Sequence, residues 1–170
     1  MNQEEIILVD EKDNPIGSGE KLTVHQGGRL HRAFSIFIAN SKGDWLLQKR
    51  SRKKYHSGGL WTNACCSHPQ KGESLDKAVH RRLKEEMGFD CRLKEVFSFV
   101  YKAKLDNGLI EHEYDHVFIG RFNGQPVPDP DEAEGWRWIA PEKIRKEIKK
   151  SPENYSYWFK KSFEKVADCF

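Results

Sequence analysis

The sequence predicts an α/β sandwich in a single domain, and three observations predict it. Residues 74–87 carry a capped helical repeat, two long β-rich segments flank the turn signal Asp106-Asn107-Gly108, and strands mix with about three helices without an internal repeat or linker. The 170 residues, 37% hydrophobic and 32% charged, suffice for one core but not for two, so the expected unit spans residues 1–170.

The apolar run 6–9, followed by Asp13-Asn14-Pro15 and Gly17, predicts a strand and a turn, and His25 with Gly27-Gly28 falls in a loop. Residues 33–39 and 45–48 read as two strands of a hairpin across a polar turn. The basic run 49–54 and Gly58-Gly59 form a loop, and 60–66 is an extended segment ending near His68-Pro69. In 74–87, Leu75, Ala78, Val79, Leu83 and Met87 recur at helical spacing, with Gly88 where a left-handed cap belongs. Residues 93–104 and 108–122 form a second hairpin, 126–131 a loop and 135–139 a strand. A helix with Pro at its first position covers 141–150, and a last helix runs from about 152 toward 166.

The run at 33–39 falls far short of the roughly 20 apolar residues that cross a bilayer, so no membrane span is expected. The start Met1-Asn2-Gln3-Glu4-Glu5 is acidic where an export signal is basic and then apolar, which makes the cytoplasm the expected location. The four cysteines are then free thiols, and adjacent Cys65 and Cys66 cannot pair. A net charge of +3 selects no partner class, and the run 49–54 without a second basic stripe argues against nucleic acid.

The helix at 74–87 ends in Glu85 and Glu86, where the macrodipole is already negative. Either Arg81 and Arg82, four residues upstream, balance them as ordinary surface pairs, or a divalent cation does. Glu111 and Glu113 alternate on a strand, so both project from one face and His112 from the other. For His56, His80, His112 and His116 the ordinary reading is a surface or hydrogen-bonded ring.

From Ser67 onward, Glu73, Arg81, Leu83, Glu85, Glu86, Gly88 and Phe89 resemble the Nudix box, G-x5-E-x7-R-E-U-x-E-E-x-G-U. Ser67 replaces the opening Gly, and Arg82 replaces a metal-binding Glu. Arg82 cannot ligate a cation and so argues against the alternative activity, hydrolysis of a nucleoside diphosphate derivative. Arg29-Leu30-His31-Arg32-Ala33-Phe34-Ser35, Thr62-Asn63-Ala64-Cys65-Cys66-Ser67-His68-Pro69, Glu111-His112-Glu113 and Tyr155-Ser156-Tyr157-Trp158 resemble the type I isopentenyl diphosphate isomerases, a divergent Nudix branch.

That resemblance implies a Nudix-like α/β/α sandwich with a mixed sheet, and an isomerase that moves the double bond of a small prenyl diphosphate through a tertiary carbocation. In the family pattern T-N-x-x-C-x-H-P the catalytic thiol falls on Cys66, and an extended chain turns Cys65 to the opposite side. The resemblance implies Cys66 and Glu113 as proton-transfer groups on opposite faces of the substrate, with Tyr101 beside the carboxylate. It implies Lys21, Arg50 and Lys54 as diphosphate contacts, Trp158 against the cation and Trp61 beside the pocket. Arg52 and Lys53 stay solvated, and Trp45, Trp136 and Trp138 pack. A first metal, Mg, Mn or Zn, would take His25, His31, His68, Glu111 and Glu113 with one open position. A second, Mg arriving with the diphosphate, would take Glu86 and the main-chain carbonyl of Cys66.

Overall fold

A computed structural model describes residues 4–170. Met1 to Gln3, the first residues of the acidic start, lie outside them. The elements are β1 (Glu5–Val9), β2 (Pro15–Glu20), α1 (Lys21–Gly27), β3 (His31–Ala39), β4 (Trp45–Arg50), β5 (Trp61–Thr62), β6 (Cys65–Ser67), α2 (Leu75–Met87), β7 (Leu93–Lys104), β8 (Ile110–Arg121), β9 (Ala133–Ile139), α3 (Pro141–Lys150) and α4 (Tyr157–Ala167).

The apolar run in β3, interrupted only by Ser35 between Ala33 and Ala39, has a topological cause, because this strand is covered on both faces and paired on both edges. One edge runs parallel to β8 throughout, from His31 opposite Glu113 to Ala39 opposite Arg121. The other edge is shared in turn by β1 at Leu8–His31, β6 at Phe34–Ser67 through Ile36–Cys65, and β4 at Ala39–Trp45. Phe34, Ile36 and Ile38 pack on Ala78, Val79, Leu83 and Met87 of α2. Phe37 and Ala39 meet Ile144 of α3 and Phe159 and Phe163 of α4. Helices thus cover both faces of one mixed sheet, as expected of an α/β/α sandwich. Among the described residues no helix is long and apolar enough to cross a membrane.

Helix α2 forms where its periodicity placed it. Ser74 accepts from the Lys77 N–H at 3.3 Å, and Gly88 closes the helix at φ +73°. A side chain at Gly88 would also meet the Val127 carbonyl at 2.4 Å, so glycine is required there for space as well as for its dihedral. The β7–β8 hairpin runs from Lys104–Ile110 to Leu93–Gly120 with one irregularity near Glu95, and Asn107 takes φ +60° in its turn.

Five local expectations are corrected. The residues around His25, expected as a loop, form α1, a seven-residue helix with little pattern of its own. It holds because Glu20 accepts from the Leu22 and Thr23 N–H groups and Val24 packs on Ile6 and Leu8. The turn after β1 continues into β2, a polar glycine-containing strand recruited by the free edge of β1. The first hairpin shares only Ala39–Trp45, after which β4 leaves to pair with β9 and β5. The segment 60–66 breaks between β5 and β6 because Asn63 donates to the carbonyls of Ile36 and Cys65, at 3.1 and 2.7 Å. The last helix likewise begins only at Tyr157, since Tyr155 bridges Trp61 and Ser156 bonds the Thr62 hydroxyl at 2.8 Å.

Candidate active site

The start of α1, the end of β4 and the loop after it, β6, α2, the N-terminal part of β8 and the start of α4 enclose one cavity. Of the residues predicted for the site, Lys21, Arg50, Lys54, Cys66, His68, Glu111, Glu113 and Trp158 line it, joined by Tyr55, His56, Ser67 and Arg82. It holds about 40 Å³, room for one or two waters.

Parallel pairing sets His31 opposite Glu113, and antiparallel pairing sets Tyr101 on the other side of Glu113. His25 and His31 are completely buried, and each Nδ1 meets a backbone carbonyl, Lys21 at 2.7 Å and Arg29 at 2.9 Å. Those bonds put the proton on Nδ1 and aim a bare Nε2 inward. His25 Nε2 has no partner, while His31 Nε2 faces His68 Nε2 at 3.2 Å and His68 Nε2 reaches Glu113 Oε1 at 3.0 Å. Burial is the first cause disfavouring the charged forms of His25 and His68, lowering His25 and taking His68 to about 3. Donor atoms of His25, His31, His68 and Glu113 all lie within 4.8 Å of one another. Neutral imidazoles with converging lone pairs beside a carboxylate are what a divalent cation requires, so this cluster fits a divalent metal site. Glu111 does not join those four, and gathers instead with His25 and His56.

Tyr101 Oη lies 3.0 Å from Glu111 Oε2 and 2.6 Å from Glu113 Oε2. With one O–H it donates to one of them at a time. Burial and the neighbouring Glu113 carboxylate push Glu111 well up. Burial also disfavours ionised Glu113, but the imidazoles of His31 and His68, at 3.5 and 3.0 Å from its Oε1, outweigh it and hold Glu113 well down. Asp115, the next residue on this face, is wholly buried and accepts from Ser35 Oγ at 2.8 Å.

The adjacent thiols separate as the extended chain requires. Cys65 is fully buried against α2, whereas Cys66 faces the cavity with Sγ 3.8 Å from Arg50 Nη1. Burial pushes the Cys66 thiol well up, against the opposing pull of Arg50, so it keeps its proton at neutral pH. Asn63 is the hub of this wall, since its Oδ1 accepts from Trp158 Nε1 at 3.1 Å and from the Thr62 hydroxyl at 2.9 Å. The Arg50 guanidinium lies over the Trp158 ring, 5.2 Å from its centroid.

Glu86 does not line the cavity. Its carboxylate is buried behind Arg82, bonded to Arg82 Nη2 at 2.7 Å and to Gln48 Nε2 at 3.1 Å. Ser67 and Arg82, the two departures from the Nudix box, are partners: Arg82 Nε donates to Ser67 Oγ at 3.1 Å, and both face the cavity. Sequence reasoning missed them as site residues, and their joint departure was the available signal. Of the two readings given for His56, a surface or a hydrogen-bonded ring, the second holds: its Nδ1 meets Ser57 Oγ at 3.3 Å, and the ring is buried in the cavity, where the loop 51–57 folds over the β7–β8 turn through Ser57 N to Asp106 Oδ2. One further expectation is corrected. Trp61 turns away from the cavity to stack under Arg137, 4.2 Å from its centroid, because the Tyr155 bridge pulls it there. Arg52 and Lys53 stay solvated, pairing with Glu134 and Asp131.

Residues 29–159 match the NUDIX domain model. Among solved structures, the chain is similar to a Deinococcus radiodurans protein at TM-score 0.72 and 21% identity, covering 85% of this chain and 88% of that one. It is also similar to a MutT protein from Methanosarcina mazei at TM-score 0.68 and 21% identity, covering 82% and 94%, and these likenesses concern the fold. An isopentenyl-diphosphate Delta-isomerase 2 from Photorhabdus laumondii is 58% identical over 156 residues, 92% of this chain and 88% of that protein. The protein of the same name from Aromatoleum aromaticum is 50% identical over 167 residues, 98% and 88% of the two chains. The chain therefore belongs to the isopentenyl-diphosphate Delta-isomerase family, built on a NUDIX domain.

Proposed function

We propose that this chain, as one isomerase domain, interconverts isopentenyl and dimethylallyl diphosphate by adding a proton at one carbon and removing one at another. An alkene is a very weak base, so protonating it needs an acid held against the carbon in a dry pocket and a wall that tolerates the tertiary cation formed. Cys66 supplies the protonated thiol, and Glu113, coupled through Tyr101 to Glu111, supplies the carboxyl group on the opposite wall. Direction decides which group gives its proton first. Trp158 offers its ring face to the cation, an attraction worth up to about 2 kcal/mol once water is excluded. Lys21, Arg50 and Lys54 hold the diphosphate, and Arg50 leaves the Trp158 face to do so.

The supporting observation is the coexistence of a half-buried, protonated Cys66 and the Tyr101-linked carboxylate pair at one cavity that is also lined by four cations and two imidazoles. A cavity of about 40 Å³ is too small for this substrate, so Arg50, Tyr55 and the loop 51–57 move outward when it enters.

A resident Mg, Mn or Zn ion belongs to His25, His31, His68, Glu111 and Glu113. The Mg that comes with the diphosphate belongs to Glu86 and the Cys66 carbonyl, for which Arg82 must release Glu86. Together these ions supply charge compensation for the buried carboxylates and the diphosphate. The basic run at 49–54 is matched by acidic partners, Lys49 with Glu134 and Lys54 with Glu132, which supports a small anionic ligand over nucleic acid.

With a divalent metal in deuterated water, the protein is expected to make the allylic isomer and to introduce deuterium into isopentenyl diphosphate. Cys66→Ala abolishes both, while Cys65→Ala keeps much of the rate. Release of inorganic phosphate or of a nucleoside monophosphate from nucleotide substrates would indicate a hydrolase instead, and equal loss from both cysteine variants would mean that the thiol is misassigned.

A further inference from the structure

We infer that His56 is a sixth protein ligand of the divalent metal centre, binding through Nε2. The inference rests on the metal site proposed above, and its starting point is that the five donors implied by the family do not converge on one point. His25, His31, His68 and Glu113 cluster together, whereas Glu111 clusters with His25 and His56. A centre that includes Glu111 therefore has His56 at its edge.

The spacing of His56 and Glu111 leaves room for a shared ion. His56 Nε2 stands 3.6 Å from Glu111 Oε1, beyond hydrogen-bond range. Donors on one octahedral ion with bonds of about 2.1 Å lie about 3.0 Å apart when adjacent and about 4.2 Å when opposite, and the observed separation falls between the two. The ring is presented rather than loose. His56 Nδ1 meets Ser57 Oγ at 3.3 Å, which leaves Nε2 to face the carboxylate. The ring stacks on His25 at 5.8 Å and 27°, and its edge meets Trp158 at 6.1 Å. Its backbone carbonyl accepts from Arg50 Nη2 at 3.2 Å. The fully buried His25 Nε2, without any partner, belongs to both groups of donors and so is an observation, independent of His56, that an ion sits where the two groups meet.

The chemistry of the set is also consistent. Four neutral imidazoles and two carboxylates present six N/O donors and a formal charge of −2, which matches a divalent ion in an octahedral shell. A shell closed by protein leaves no position for a bound water, so such an ion cannot generate hydroxide as the open sites of metallohydrolases do. That suits a reaction that consumes no water.

The test is made on the protein loaded with Co(II), where each ligated imidazole contributes one exchangeable, hyperfine-shifted N–H signal to the proton NMR spectrum. Four signals are expected, from His25, His31, His68 and His56, and His56→Gln should show three while binding Co(II) at least about tenfold more weakly. His112→Gln, altered on the other face of β8, should leave the count and the affinity unchanged. Three signals in the unaltered protein would overturn the assignment of His56 and leave the metal site standing, whichever way the variant folds. No shifted signals at all would overturn the metal site itself and the sixth ligand with it.

Discussion

Two clusters of histidine and carboxylate sit on opposite faces of β8. On one face, His116 meets Glu95 with Nδ1 at 2.6 Å and Asp13 with Nε2 at 3.0 Å, and Asp13 is held in turn by Arg32 Nε at 2.7 Å. On the other face, His25 Nε2 and His68 Nδ1 are buried without partners, and two imidazole nitrogens face each other across 3.2 Å. The residue types are the same. The difference is that the first cluster satisfies itself and ties the β1–β2 turn to the sheet, while the second leaves valence unmet, which a folded protein tolerates where something else is to bind. Unmet donors, more than residue identity, distinguish a site from a brace.

The largest expected effect that would break this comparison is catalytic. Glu113→Gln should lower isomerase turnover by at least about 10³-fold, the order expected for loss of an acid–base group, while Glu95→Gln stays within about twofold. Comparable losses would place the His116 cluster in the reaction. Next comes binding. A divalent ion at about 100 times its Kd should stabilise the chelator-treated protein by about 2.7 kcal/mol, a rise in Tm of about 5–10 °C. His25→Ala should lose that rise, whereas His116→Ala should start from a lower Tm and keep it.

The smallest effect concerns pH. Because burial lowers His68 from 6.5 to about 3, the unfolded chain takes up its proton first as pH falls. The metal-free protein should therefore lose stability between pH 6.5 and about 3, by about 2 kcal/mol at pH 5 for a histidine that stays neutral when folded. Denaturant titrations of His68→Gln should show a flatter profile over that interval. An unchanged slope would mean that His68 is already charged in the folded state.

Legibility in the sequence followed the range of the forces involved. Helix α2, the β7–β8 hairpin and the separation of Cys65 from Cys66 follow from periodicity, caps and turn residues within a short stretch of chain. Most of the proposed site residues came from spaced motifs, and eight of them line one cavity. Helix α1 was invisible because its seven residues carry almost no apolar period and depend on Glu20 and on the floor formed by Ile6 and Leu8. The place of His56 in the cavity was not legible because nothing near it in sequence signals burial, which comes with the β7–β8 turn about fifty residues away.

By itself the sequence determined the mixed α/β class, helices α2 and α3 and the β7–β8 hairpin, since alternation, helical period and turn residues are local properties of the chain. Only the tertiary structure decided which strand accompanies β3 on each edge, that Ser67 and Arg82 act as a pair, that Trp61 faces away, and that Glu111 sits with His56. Those outcomes depend on long-range register and on competition for buried hydrogen-bond partners, and no window of sequence contains both competitors.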